Sequence, residues 1–295
     1  MQIADALNIT KEYYERTNPT ESEDFMFTEA LSFLIEETKD AQYMTELAWF
    51  YCTKQQFDLE RKYLEMAAEC GNLWAMEELG YMWYYGQHGE VDYEKAFYYF
   101  SMGAQQTTGS GRLWCTYKLA DMYRFALAVE KSEETYRRMI RSAYEEVKNP
   151  KYLNEPFPEI AYRLAGILVD EGDVKQAVEI LKRAKRFLAE RLSYEPFWGH
   201  FETMERIVRR LYALTEFDPR RFGFYDIFEL TRTYGTVYFK CDRTKYSLEI
   251  AKEDGSIYFD GRWYRSFAQL CQKAEIGGEK ITRRYDEFYD WEVAA

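Results

Sequence analysis

The feature that most constrains this chain is a pattern that returns every 36 to 42 residues. Its clearest copy runs from Ala75 to Ala104. The first segment, 75–86, carries Leu79, Gly80 and Trp83 at helical spacing and ends on Gly86. The second begins at Asp92, whose carboxylate can accept the free amides of a helix start, and carries Ala96, Phe100, Gly103 and Ala104. Small residues at Gly80, Ala96, Gly103 and Ala104 let two helices approach closely, while Leu79, Trp83, Tyr99 and Phe100 fill the space between neighbouring pairs. Related copies begin at Leu47–Ala48, Leu119–Ala120 and Leu164–Ala165. The small residue of the second helix falls at Ala67, Gly103, Ser142 and Ala184. A period of this size predicts stacked two-helix units, none of which can bury its apolar face alone.

Three segments carry a resemblance to a known family. The A-x-x-x-L-G-x-x-aromatic helix at 75–83, the D-x-x-K-A helix start at 92–96 and the A-A-x-x-G-N-x-x-A junction at 67–75 are similar to Sel-one-like repeats. These are a branch of the tetratricopeptide-like α-solenoids. The resemblance covers about 41–190 and is strongest over 74–104. Glu60 and Thr135 stand where the turn alanine is expected, and the loops at 105–114 and 149–158 read as long. The resemblance implies a right-handed superhelix of antiparallel helix pairs serving as a protein-interaction scaffold. It brings no catalytic residues.

The rest of the chain frames these repeats. Residues 1–40 read as N-terminal helices packing on the solenoid. The first runs from Asp5 to Arg16, Asn18–Pro19–Thr20 breaks it, and Ser22 caps a second holding Phe25, Phe27, Leu31 and Ile35. Residues 191–234 read as closing helices. One spans 196–217, and Asp218–Pro219 starts a short one ending near Tyr234–Gly235. From 235 to 295 the apolar period changes from 3.6 to 2, which predicts a small α+β module. Its strands are 236–241, 246–251 and 256–260. A tight turn at Asp260–Gly261 leads to Trp263–Tyr264, Ser266 caps a helix over 267–274, and Gly277–Gly278 ends it. Gly255, Gly261, Tyr264, Ser266, Phe267 and Leu270 are similar in spacing to small domains attached to restriction and adenine-methylase proteins, which implies contact with DNA or with such enzymes. The alanine run expected after the serine is absent here.

Composition narrows the function. Acidic residues number 51 against 39 basic, a net charge of −12, which excludes a chain that coats nucleic acid over its whole surface. The imbalance sits in residues 1–100, with 20 acidic and 7 basic. There is no apolar run long enough to span a bilayer and no basic-then-apolar leader at the N-terminus, so a cytoplasmic protein without membrane contact is expected. Five cysteines, an odd number without C-x-x-C spacing, point to reduced thiols. Two histidines exclude a site needing several. Phosphate-binding glycine loops, H-E-x-x-H and G-x-S-x-G are all missing, so neither enzymatic activity nor cofactor nor metal is expected. Cys271 with His200 could be posed as nucleophile and base, but Cys271 lies on an apolar helix face. Glu77 and Glu78 are adjacent on a helix and cannot work as an acid/base pair by adjacency.

The aromatic content, with 27 tyrosines among 295 residues, exceeds what a core can hold and suits an interface. Glu78, Tyr81, Met82 and Tyr85 of the second copy are the candidates for a partner-binding surface, because Leu79 and Trp83 are committed to packing. The partner expected is a protein or peptide segment with apolar anchors and basic flanks. An alternative is an acidic or nucleic-acid partner on the basic 182–221 stretch and the C-terminal module, through Lys182, Arg183, Arg186, Arg209, Arg210, Trp263 and Tyr264. Packing between repeats and ordinary solvated helix faces explain the same residues and stay open.

Overall fold

A computed structural model describes residues 1–87, 89–107, 109, 111–195, 198–215, 228, 231, 235–251 and 255–293. The helices fully described before the first strand are α1 Ile3–Tyr14, α2 Glu21–Thr38, α3 Ala41–Thr53, α4 Phe57–Glu69, α5 Leu73–Tyr85, α6 Tyr93–Ala104, α7 Gly111–Phe125, α8 Glu133–Val147, α9 Phe157–Asp170, α10 Val174–Tyr194 and α11 Trp198–Leu214. The chain divides into two compact units, Met1–Ala143 and Tyr144–Ala295. Among the described residues no helix is long and apolar enough to cross a membrane.

In the first unit the helices pack in consecutive antiparallel pairs, α3 on α4 and α5 on α6. Side-chain caps set their starts. Asp40 accepts from Gln42 N, Asn72 from Ala75 N and Asp92 from Lys95 N. The second helix begins on Thr20 rather than Ser22, because Thr20 and Glu23 cap each other's backbone reciprocally. Leu31, Leu47, Leu64, Leu79, Phe100 and Met122 form one continuous core through successive pairs. Close approach depends on the small residues. A Cβ added at Gly80 would lie 2.4 Å from the Phe100 ring, and one at Gly103 would lie 2.4 Å from Cys115 Sγ. In α8 the buried small residue is Ala143, not the exposed Ser142, so the step there is one residue longer than the sequence spacing predicts. The 105–114 loop is also shorter than expected, since α7 already begins at Gly111.

In the second unit α9 pairs with α10, and α11 packs on both. The expected 196–217 helix is Trp198–Leu214. The Asp218–Pro219 helix start lies outside the described residues. The C-terminal module is a five-stranded antiparallel sheet in the order β4-β3-β2-β1-β7. Its strands are β1 Thr236–Cys241, β2 Thr244–Ile250, β3 Ile257–Phe259, β4 Arg262–Tyr264 and β7 Tyr289–Val293. A two-stranded ribbon, β5 Glu275–Ile276 with β6 Glu279–Lys280, sits between helix α12 Phe267–Lys273 and the single turn α13 Ile281–Arg284. Inward residues Val237, Phe239, Cys241, Leu248, Ile257 and Phe259 are buried. Three hairpins close through two-residue turns with both residues at positive φ: Asp242–Arg243, Asp260–Gly261 and Gly277–Gly278. This is the geometry that matches the twist of paired strands.

Candidate protein-binding face

In the first unit, α5 and α7 together carry a cluster of aromatic and charged side chains. Within the first unit α5 packs directly against α7, so the first helices of two successive pairs lie side by side. Down α5, Trp74, Glu77, Tyr81 and Tyr85 follow at steps of three or four residues and share one stripe. Trp74 and Tyr85 are exposed, at 44% and 52%, while Glu77 and Tyr81 are half-buried. From α7 come Trp114, Tyr117 and Lys118.

These side chains interlock. The hydroxyls of Tyr81 and Tyr117 share a hydrogen bond at 2.7 Å. Tyr81 and Tyr85 stack in parallel with ring centroids 6.2 Å apart. Lys118 is 6% exposed, and its Nζ donates to Tyr85 Oη at 2.5 Å. The same ammonium lies 5.2, 4.6, 4.6 and 5.9 Å from the ring centroids of Tyr81, Tyr84, Tyr85 and Tyr117. A cation over several aromatic faces is held by their quadrupoles, and more strongly where water is excluded. Burial and the neighbouring Tyr117 push the Tyr81 hydroxyl well above the usual tyrosine range, so it stays protonated at neutral pH.

Two carboxyls border this cluster and face different ways. Burial and the adjacent Glu78 raise Glu77 to about 8. Its Oε2 sits where a Cβ at Gly111 would come within 3.0 Å, so it occupies the start of α7. Glu78 is raised by burial and by Glu60 on α4, so it feels the other neighbouring helix.

The four residues expected to bind a partner therefore separate. Tyr85 is exposed and Tyr81 half-buried on the stripe, Glu78 is half-buried toward α4, and Met82 is core. Met82 is the correction: three residues after Leu79, it is buried in the core that runs through the successive pairs. Trp74, Glu77 and Lys118 were missed. Trp74 is the residue a helical stripe through Tyr81 and Tyr85 would have added.

The basic candidates are engaged locally. Lys182 pairs with Glu179 at 3.5 Å, and Arg209 pairs with Glu205. Arg183 donates to Lys148 O at 2.7 Å, and Arg210 donates to Tyr162 O at 3.2 Å over the Tyr162 ring. Arg186 is exposed. In the C-terminal module Trp263 is 59% exposed and packs on Tyr258, with centroids 5.3 Å apart. Tyr264 is buried against the sheet, which corrects its expected place on a surface. Part of the basic stretch, 216–221, lies outside the described residues. Cys271 is buried and its thiol is pushed up by burial, which does not suit a nucleophile.

Two other features bring polar groups together. Cys241, Asp242 and Glu287 bring ligand-type atoms within 4.8 Å of one another. The Arg284 guanidinium pairs with both carboxylates there, at 2.8 Å to Asp242, so one of their two negative charges is already compensated and both already have a partner. An open cleft of about 270 Å³ lies between α2 and α3, walled by Phe25, Phe50 and Tyr51 and spanned by the Asp24–Lys54 ion pair.

No protein-family model matches the chain, and no curated protein matches it in sequence. Solved structures do. A Sel1 repeat protein from Oxalobacter formigenes matches 71% of this chain at 17% identity with a TM-score of 0.53. The fold is that of the Sel1-like repeats. The protein c5321, a protective antigen of uropathogenic Escherichia coli displaying an SLR fold, matches 71% of the chain at 18% identity with a TM-score of 0.49. The matches span 65% and 46% of those two proteins, less than two thirds of either. In Sel1-like terms, α5 and α7 are the first helices of two adjacent repeats, and their shared face is the one just described.

Proposed function

We propose that this protein is a non-enzymatic adaptor that binds a peptide segment of a partner protein along the first-helix face of α5 and α7. The observation that carries this reading is the stripe of Trp74, Tyr81 and Tyr85 against Tyr117 and Lys118. Aromatic side chains give large contact area with few rotors to order, and aromatics of this kind dominate binding energy at interfaces. They stand on helices fixed by a continuous core, so the face is organised before the partner arrives. The first unit carries 24 acidic and 14 basic residues, which favours a basic segment and speeds its approach at low salt. The Sel1-like fold supports the reading, because in such repeats the same helix face recurs from one pair to the next.

The test is selection of a phage-displayed random dodecapeptide library on the full chain, followed by the Trp74→Ala/Tyr85→Ala double variant. Trp74→Ala alone should keep its melting temperature, because Trp74 is exposed, whereas the double variant also removes an acceptor of the buried Lys118 and should melt lower while remaining folded. It should lose tenfold or more in affinity for the selected peptides. Unchanged affinity would place the binding surface elsewhere.

A second reading is a nucleic-acid contact through the exposed Trp263 and the half-buried Tyr258 packed against it, on which bases could stack. It predicts salt-sensitive binding of single-stranded DNA or RNA that is lost in Trp263→Ala.

A further inference from the structure

The binding face contains a carboxyl group that the fold does not use. Glu77 lies in the middle of the α5 stripe, one turn from Trp74 and one turn from Tyr81. It is half-buried beside Gly111, where the absent side chain leaves room for its Oε2. Among the described residues nothing donates a hydrogen bond to it, and no lysine or arginine pairs with it. The titratable groups that face it are Glu78 and Tyr81 from its own helix and Cys115 from α7. Each is acidic or neutral. Glu78 opposes a charge on Glu77, the neutral Tyr81 and Cys115 do not compensate it, and burial opposes it further.

The surroundings say what would relieve this. One turn away, the same face already holds the buried ammonium of Lys118 among four tyrosine rings. A second cation arriving between Trp74 and Tyr81 would meet one carboxylate and two aromatic residues. An anion or an uncharged apolar group would leave the carboxyl buried and unpaired, which costs free energy.

We propose that Glu77 is the acceptor for the ammonium or guanidinium of a lysine or arginine side chain on the bound segment, with Trp74 and Tyr81 flanking it. This rests on the peptide-binding reading above and adds the chemistry the segment must carry. Binding then releases the proton that Glu77 holds in the free protein. Lysine and arginine keep their own charge up to about pH 10, so the pH dependence reports Glu77. Affinity should rise as pH climbs from 6.5 to 8.5.

The experiment uses peptides selected from the dodecapeptide library, with affinity measured by fluorescence anisotropy at both pH values. The expected result is enrichment of peptides with a basic residue beside an apolar one, and affinity at least tenfold tighter at pH 8.5. Glu77→Gln should weaken these peptides tenfold or more at pH 8.5 and abolish the pH dependence. Glu78→Gln should keep the affinity and move the pH profile lower, because it removes a like charge from Glu77. Selected peptides that lack basic residues, or that bind Glu77→Gln as well as the parent, would overturn the proposal while leaving the face intact. If no peptide is enriched, the binding face itself fails, and the proposal with it.

Discussion

Arg191 and Glu159 form an ion pair in the interior of the second unit, at 2.9 Å, with side chains 1% and 6% exposed. The guanidinium also donates to the carbonyls of Leu153 and Glu155, so one side chain of α10 fastens the segment that leads into α9. Removing one partner of a buried pair leaves the other charge uncompensated, at a cost of about 3–5 kcal/mol. Arg191→Met should lower stability by that amount in urea titration. Adding Glu159→Gln to Arg191→Met should recover part of it, because the orphaned carboxylate is then gone. A loss below about 1 kcal/mol would show that the carbonyls and the carboxylate are satisfied without Arg191.

His200 lies near this pair. Burial, and then the Arg191 charge, lower its pKa from 6.5 to about 4. Its folded pKa is below its unfolded value, so the unfolded chain takes up the proton first as pH falls. Stability should therefore decline from about pH 6.5 toward 4, with a slope of up to about 1.4 kcal/mol per pH unit from this group. His200→Gln should flatten that part of the curve, measured by denaturant titration at stepped pH. An unchanged slope would contradict the assignment.

Glu77 has the opposite sign. Its folded pKa of about 8 lies above the ordinary 4.5, so the folded state keeps a proton that the unfolded chain loses. Stability should fall as pH rises from about 5 to 8, again by up to about 1.4 kcal/mol per pH unit. Glu77→Gln should remove this decline without disturbing the acid-side behaviour. Titration of the Glu77 carboxyl by carbon-13 NMR with a midpoint near 4.5 would contradict it.

The close packing of α5 and α6 gives a fourth test. Gly80→Ala would drive a methyl into the Phe100 ring at 2.4 Å, and overpacking of this kind costs about 1–3 kcal/mol. Gly80→Ala with Phe100→Leu should be less destabilised than Gly80→Ala alone, measured by thermal unfolding. Equal losses would mean that the helices simply move apart.

These residues show what the sequence could reveal. Gly80, Ala96 and Gly103 were legible as packing positions because close helix approach demands small side chains at fixed spacing. The turn at Asp260–Gly261 was legible because glycine marks positive φ. Gly277–Gly278, expected to end the helix over 267–274, is instead the turn between β5 and β6, the helix having ended at Lys273. The turn at Asp242–Arg243 was not legible, since arginine at φ 66° carries no such mark. The β7 strand was missed for a related reason: its place beside β1 is set by pairing across some fifty residues, not by local pattern.

The candidate site was only partly legible. A helical stripe finds Trp74 and Tyr81, but nothing in the sequence says that Lys118 is buried, because the rings around it come mostly from the neighbouring repeat. Nothing in the sequence marks Arg191 on α10 as buried either. Its burial is made by the 151–155 segment folding over it.

The most direct test of the central claim is site-specific photocrosslinking. Benzoylphenylalanine is placed at Trp74 or Tyr85 on α5, and at Tyr98 on α6 as an exposed position on the second helix. Each variant is irradiated with a biotinylated peptide selected on the parent protein. The account predicts crosslinks from positions 74 and 85, suppressed by excess unlabelled peptide, and none from 98. Crosslinking from 98 with none from 74 or 85 would contradict it.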